Sequence, residues 1–396
     1  MGNSAGGKRK KADATKLAHS GRHPAEHHGF VNIPVYRGST VLYPNAAALA
    51  AHDTRYPYGR RGTPTMEGLQ EAIADLDGAD GCLTAPSGLA AISNTLLCLV
   101  RSGDHILMTD SVYFPTRRFC DQILRRFGVE TEYYDPLIGG DIAGLMRPNT
   151  RIVYTESPGS RTMEVQDLPA IAAAAHAAGA FVVIDNTWAT PLYFRSLEKG
   201  ADVSVHAGTK YFGGHSDIML GAVTANGKAW RELSAVWHDF GNCAGTEEMF
   251  LGLRGLRTME VRLARHMQSA LEIAGWLAER PEVDIVLHPA LEGAPGHELW
   301  KRDFTGASGL FSVILKPVPA AAFNAMLDGL ELFGLGYSWG GYESLAIPFD
   351  PAERRTPPAW ADSGPGVRFH IGLEDVGDLK ADLAVGFERL AAASPT

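Results

Sequence analysis

His206-Ala207-Gly208-Thr209-Lys210-Tyr211-Phe212-Gly213-Gly214-His215-Ser216-Asp217 sets one lysine among small and hydroxyl-bearing residues, just after the strand-like run Asp202 to Val205. Small neighbours let a planar ligand approach the backbone, and Gly213-Gly214 gives turn freedom that other residues lack. Burial and nearby positive charge lower a lysine's pKa from about 10.4, leaving free amine to attack a carbonyl as a Schiff base. Taken alone, Lys210 would read as a solvated residue beside a turn. The chain upstream overturns that reading.

Upstream stands Phe181-Val182-Val183-Ile184-Asp185-Asn186-Thr187-Trp188. A continuous apolar run of this length reads as a strand buried on both faces of a parallel sheet. It closes on an aspartate at its carboxyl end, where open α/β sheets bind ligands. An acid there needs a partner, and a pyridinium nitrogen suits it, because the carboxylate keeps that nitrogen protonated and the ring an electron sink. By itself Asp185 reads equally as a turn cap. Together with Lys210 it points to pyridoxal 5′-phosphate.

The surrounding chain has a βα rhythm. Gly81 to Ala85 is a strand, Pro86-Ser87-Gly88-Leu89 a small-residue turn, and Ala90 to Val100 a helix, an arrangement that aims free backbone N–H groups at a phosphate. The glycine spacing of a dinucleotide fold and the lysine of a P-loop are both missing, which suits a small phosphorylated cofactor. Strand His105 to Thr109 leads past Tyr113 into a helix through Phe127, and Tyr113 is placed to stack on a planar ring. Strand Arg151 to Glu156 and helix Leu168 to Ala178 follow. The alternation predicts an α/β fold with a mostly parallel, doubly wound sheet. Beyond Gly221 the rhythm changes. A helical stretch from Thr246 to about Arg280, breaking near Gly255, precedes strand Leu310 to Leu315, helix Ala320 to Leu327, strand Val367 to Ile371 and helix Val376 to Ala392. The expected organisation is a tail and arm (1–60), a large ligand-binding domain (61–256) and a smaller α+β domain (257–396).

Residues 1 to about 28, with the basic cluster Lys8 to Lys11, read as a solvated tail. No apolar segment follows as in a secretory signal, and Gly6 stands where myristoylation of Gly2 needs a hydroxyl. Nothing nearby completes a metal-ligand set for His23, His27 and His28, so no metal is expected. Val31 to Tyr58 reads as an extended arm, and Tyr58-Gly59-Arg60 as a phosphate clamp. The net charge of −9 argues against nucleic acid as a partner. No apolar run is long enough to span a bilayer. Cys82, Cys98, Cys120 and Cys243 form no CxxC and read as reduced thiols of a cytoplasmic protein.

Two motifs compete with this reading. Gly221 to Lys228 resembles a P-loop, but its glycines are one residue too far apart and Ala229 replaces the hydroxyl residue. Gly336-Tyr337-Ser338-Trp339-Gly340 matches a nucleophile elbow, with Asp350 or Asp362 and His370 following in hydrolase order, so a serine hydrolase through Ser338 is a remote alternative. An elbow runs from strand straight into helix, whereas strand-like Ser344 to Ile347 follows here.

Over residues 30 to the C-terminus the chain resembles the cysteine/methionine-metabolism family of PLP-dependent fold-type I enzymes, most closely its β-acting lyases. The stretches that carry this are YGRRGTPT (58–65), ESPGSRTMEV (156–165), IDNTWAT (184–190), TKYFGGHSD (209–217), RGLRTMEVRL (254–263), HPALEG (288–293), KRDFTGASGLFS (301–312), YSWGGYESL (337–345) and HIGLEDV (370–376). The resemblance implies a seven-stranded large-domain sheet and β-elimination of L-cystathionine to homocysteine, pyruvate and ammonia. Lys210 would hold PLP and move the proton, Asp185 would face the ring nitrogen, and Tyr113 would stack on the ring and serve as a second proton carrier. Gly88, Leu89 and Thr209 would bind the phosphate, joined by Tyr58 and Arg60 from a neighbouring subunit of a homotetramer, where Tyr58 also borders the substrate. Arg368 would grip the substrate α-carboxylate, and Ser338 and Trp339 would line the pocket. Trp339 is the feature that resembles β-acting relatives. A γ-acting enzyme and a cysteine-S-conjugate lyase or cysteine desulfhydrase stay open. The segment Trp237 to Cys243 departs from the family where relatives form the distal side of the pocket.

Overall fold

Apolar, β-branched runs form the sheet that organises the molecule. In the computed structural model, which describes residues 11–353, 355 and 360–394, seven strands form one sheet. In chain order they are β1 (Gly81–Ala85), β2 (His105–Thr109), β3 (Glu130–Tyr134), β4 (Thr150–Glu156), β5 (Phe181–Asp185), β6 (Val203–His206) and β7 (Gly221–Ala225). Their spatial order is β1-β7-β6-β5-β4-β2-β3. Strands β2 to β6 pair parallel, while β7 runs antiparallel to both β1 and β6. Both faces are covered. In β5, Val182 and Ile184 enter one apolar cluster while Phe181 and Val183 enter another. Burial on two sides is why this strand is apolar at every position up to Asp185.

A second sheet has β8 (Val283–Leu287), β9 (Leu310–Leu315), β10 (Leu345–Phe349) and β11 (Gly366–His370), antiparallel in the order β10-β11-β9-β8. One face packs against the helices Met259–Ala278, Ala320–Asp328 and Val376–Ala393. From the other face, Leu310, Ile314 and Phe349 join the core of the large sheet beside Trp188, whose indole donates to Leu310 O at 2.8 Å. This docking swings β11 and the loop before β10 over the carboxyl ends of β4, β5 and β6.

Three strands escaped the sequence reading. β3 and β8 are edge strands with half-exposed residues, so neither is apolar throughout. β7 falls within the P-loop look-alike. Its small residues disguise a fully buried strand, and a Cβ on Gly221 would come within 2.2 Å of Ser87 O. The helix expected to reach Phe127 ends at Gln122 and tightens into a 3-10 turn, which Gly128 closes at φ 77°. The long helical stretch breaks after Leu256, one residue past Gly255. Gly255 is a close approach, where a Cβ would meet Phe212 O at 2.1 Å.

The amino-terminal segment also corrects the expectation of a solvated tail. A helix, Asp13–His19, docks on the helix Pro64–Asp77 and buries Lys16 and Leu17. Lys16 Nζ donates to Asp75 O at 2.5 Å, His23 Nε2 meets Glu71 Oε2 at 2.6 Å, and Arg257 donates to Leu17 O and Ser20 O. His27 is buried as well. One apolar side chain, Leu17, joins the cluster of the Pro64–Asp77 helix and the rest of the docking is polar, so there is no apolar periodicity to read. Of the basic cluster, Lys8, Arg9 and Lys10 lie outside the described residues, as do Met1, Gly2 and Gly6. From Phe30 to Tyr58 the chain is mostly irregular, and it exposes Phe30, Val31, Leu42, Leu49 and Tyr58.

Candidate active site

The turn after β6 fixes Lys210. Thr209 donates its N–H and its hydroxyl to Leu220 O (3.0 and 3.1 Å) and its oxygen accepts from Leu220 N–H (2.9 Å), while Gly213 N–H closes on Gly208 O (2.9 Å). From this pinned turn Lys210 Nζ donates to Ser338 Oγ at 2.8 Å and lies 5.4 Å from the centre of the Trp339 ring. The loop carrying both residues crosses directly above the lysine. Gly340, at φ 95°, has no room for a Cβ, which would come within 2.9 Å of Lys210 Cα. Burial and the positive charge of Arg368 pull the Lys210 amine down to about 8, against the opposing pull of Asp185. Protonation dominates below that value, so uptake of a carbonyl ligand at Lys210 should slow as pH falls through it. Rates of cofactor uptake by the apo-protein are expected to rise about tenfold per pH unit up to about 8 and then level. Stopped-flow absorbance checks this, and a rate still climbing through pH 10 would contradict it.

Asp185 ends β5 beside Glu156, its in-register neighbour at the end of β4. Thr187 donates both its N–H and its hydroxyl to Asp185 Oδ1 (3.0 and 2.5 Å), and Ala207 N–H returns to the same hydroxyl (2.9 Å). Burial raises the Asp185 carboxyl above its ordinary range and the Thr187 bonds oppose that shift. Glu156 is pushed well up by burial and by Asp185. Two neighbouring buried carboxyls of this kind favour one ionised and one protonated group. A cationic N–H donor in the cavity would favour Asp185 as the ionised one. Glu156 Oε2 accepts the Tyr113 N–H at 2.7 Å, which fixes where Tyr113 enters the cavity. Sequence reasoning missed Glu156, although an acid closing an apolar strand is the same signal that singled out Asp185.

Gly88 and Leu89 open the helix Gly88–Leu99, capped by Ser87, whose hydroxyl accepts from Ala90 N–H at 3.1 Å. Gly88 must be a glycine, since a Cβ would lie 2.6 Å from Ala207 Cβ on the lysine turn. The first helical turn and the lysine turn therefore touch. Across from them Arg368, largely buried on β11, donates to Ser160 O at 3.0 Å. Burial brings its guanidinium down to about 10, still a cation at neutral pH.

Lys210, Asp185, Tyr113, Gly88, Leu89, Thr209, Arg368, Ser338 and Trp339 thus line one cavity of about 830 Å³. The Thr209 hydroxyl is held by Leu220, so within the turn it acts as a clasp. Tyr58 and Arg60 are not brought to this cavity. Arg60 donates to His238 O at 2.6 Å, and Tyr58 is exposed. Trp237 to Cys243, which includes the Arg60 partner His238, does not line this chain's own cavity either. Trp237 is buried with its indole on Thr84 O (3.2 Å), and Asn242 donates to Asn94 (3.1 Å). The hydrolase elbow does not assemble either. Irregular chain follows Ser338 where a helix would be needed, and His370 is committed to Gly341 O at 3.1 Å. Among the described residues no cluster of metal ligands occurs, and no helix is long and apolar enough to cross a membrane.

The donor set fits pyridoxal 5′-phosphate. A low-pKa amine, a buried carboxylate already bonded on one oxygen, and a capped helix N-terminus suit an aldehyde, a ring nitrogen and a phosphate. Comparison with known proteins agrees. A family model described as Cys/Met metabolism PLP-dependent enzyme matches residues 14–388. The chain is 47% identical to a Salmonella typhimurium protein named cystathionine beta-lyase, over 95% of this chain and 98% of that one. It is 46% identical to cystathionine beta-lyase MetC of Escherichia coli, over 96% and 99%. The crystal structure of metB from Corynebacterium glutamicum superposes with a TM-score of 0.87 at 32% identity, covering 96% of this chain and 98% of that one.

Proposed function

Because the chain belongs to the Cys/Met metabolism PLP-dependent enzyme family, with the fold-type I architecture, we propose that it is a carbon–sulfur β-lyase that cleaves L-cystathionine to homocysteine, pyruvate and ammonia. One observation carries the reading: the Lys210 amine, the Asp185 carboxylate and the Arg368 guanidinium line a single cavity with Trp339 set over the lysine.

When bound, pyridoxal 5′-phosphate supplies the electron sink that makes the substrate Cα–H acidic. Lys210 would hold it covalently through Nζ, Gly88 and Leu89 would offer N–H groups to its phosphate, and Asp185 would keep its ring nitrogen protonated. Arg368 presents a planar fork to the substrate α-carboxylate, a geometry lysine cannot match. Lys210 Nζ, facing the cavity, is the base placed to accept the Cα proton. Ser338 Oγ, already within hydrogen-bond reach, steers it there. As the Cβ–S bond breaks, Lys210 or Tyr113 returns a proton to the departing sulfur. Burial, Asp185 and Glu156 all hold the Tyr113 phenol above its ordinary pKa, so it enters as an acid.

Tyr58 and Arg60, outside their own cavity, are assigned to the phosphate of a neighbouring subunit in a homotetramer, with Tyr58 also at the substrate. The exposed arm that carries them supports this. The four cysteines, free in the structure, suit a reducing cytoplasm. We assign residues 1–60 to the tail and arm, 61–256 to the large domain and 257–396 to the small one.

Product identification tests the activity. The purified holoenzyme with L-cystathionine is expected to yield homocysteine, pyruvate and ammonia. Cysteine with 2-oxobutyrate would keep the cofactor assignment and replace the β-lyase by a γ-acting enzyme.

A further inference from the structure

L-Cystathionine has an amino acid at each end, and the groups described so far engage only the reacting half. The far half brings a second carboxylate and a second ammonium. On the cavity wall, Arg161 Nη1 donates to Glu353 Oε2 at 3.1 Å, and both side chains line the cavity that holds Lys210 and Arg368. Their side chains are 29% and 40% exposed, so they stand at the rim, reachable but not fully solvated. Arg161 is also near enough to Arg368 for its charge to help depress that guanidinium. Two cations facing one cavity repel, and a substrate with two carboxylates relieves both.

The pair hangs from backbone that is pinned on either side. Before Arg161, Ser160 donates its N–H to Ser111 O (2.9 Å) and accepts Arg368 on its own carbonyl. After it, the Thr162 hydroxyl donates to Glu164 (2.7 Å) and accepts from Arg355 Nη1 (2.6 Å). Glu353 sits in a turn closed by its own N–H on Asp350 O (3.2 Å). Two residues on, Arg355 reaches Asp110 Oδ2 (2.9 Å) and Glu164 Oε1 (2.8 Å). Backbone pinned in this way confines where the two side chains can reach and so limits the freedom lost on binding. A part-exposed ion pair is worth little by itself, so a zwitterion offering a carboxylate to the arginine and an ammonium to the glutamate replaces it at small cost.

We propose that Arg161 and Glu353 form the subsite for the distal amino-acid end of the thioether, Arg161 taking the far carboxylate and Glu353 the far ammonium. The assignment rests on the lyase reading above and specifies its substrate class: thioethers with a zwitterion beyond the sulfur.

The test compares the holoenzyme with its Arg161→Gln and Glu353→Gln variants on three compounds. These are L-cystathionine, S-(3-carboxypropyl)-L-cysteine, which lacks the far ammonium, and S-methyl-L-cysteine, which lacks both far charges. Arg161→Gln is expected to lower the kcat/KM ratio of cystathionine to S-methylcysteine about tenfold, the scale of one charge-assisted hydrogen bond. It should lower the ratio of the carboxypropyl compound to S-methylcysteine as well. Glu353→Gln should lower the cystathionine ratio and leave the carboxypropyl ratio where it was. Ratios equal to the parent's, whether the separate rates fall together or hold, would overturn the subsite and make the pair a structural strap. A compound that turns over slowly is read by its Ki against cystathionine. Products are identified throughout, so 2-oxobutyrate would refute β-elimination independently of the ratios.

Discussion

Lys210→Ala is expected to leave the fold intact and to lower turnover by about 10³-fold or more, because one side chain both anchors the cofactor and carries the proton. The amine sits among Ser338, Trp339 and Arg368, and burial and Arg368 bring it to about 8, so part of it is uncharged at neutral pH. Removing it costs the fold little. The bond lost is a single one to Ser338, and a part-buried ammonium contributes little to stability. Borohydride reduction followed by intact-mass measurement separates the two roles. The parent should gain the mass of the reduced cofactor and Lys210→Ala should not. Partial recovery of rate with added ethylamine would isolate the proton-transfer share. A variant that keeps even a tenth of the parental kcat would sink the assignment.

Asp185→Asn is the second large effect, expected at about 10²- to 10³-fold in kcat, the scale of losing one charge placed for the transition state. The change is nearly isosteric. Thr187 can still donate its N–H and hydroxyl to the amide oxygen, so the β5 terminus should stay in place. What disappears is the negative charge that holds a ring nitrogen protonated. The same charge raises the Lys210 pKa, so its loss should move the plateau of the cofactor-uptake profile below about 8. Structural damage alone would lower the rate without moving that plateau. A variant within about threefold of the parent would mean that Asp185 is a turn cap and nothing more.

How much of this was open to sequence reasoning depended on where each signal lived. β5 and the lysine turn were readable because central strands are buried on both faces and end at the ligand, which leaves a dense local pattern. β3 and β8, at sheet edges, and β7, built of small residues, carry no such pattern. Glu156 lay in plain view at the end of β4, but its meaning depends on β5 pairing in register beside it. The ion pair of Arg161 with Glu353 joins distant parts of the chain, and no local spacing encodes it. The segment Trp237 to Cys243 lies off this chain's own cavity. Trp237 points into the core beneath β1, so its neighbours lie away from the cavity wall.

β7 has a consequence for how the protein is made. β1 lies at the edge of the large sheet with β7 as its one hydrogen-bonded neighbour, while β4, β5 and β6 each add to a strand already synthesised. A growing chain therefore carries β1 unpaired until residues 221–225 have emerged, and closing that long separation costs more chain entropy than the pairings among β2 to β6. Ser87 to Leu89 follow β1, and Lys210 lies between β6 and β7, so the two halves of the cofactor cradle first meet in that event. A nascent chain with β2 to β6 already formed would bind no cofactor. Acquisition of colour during refolding should then not precede completion of the large sheet, making the cofactor a reporter of that closure.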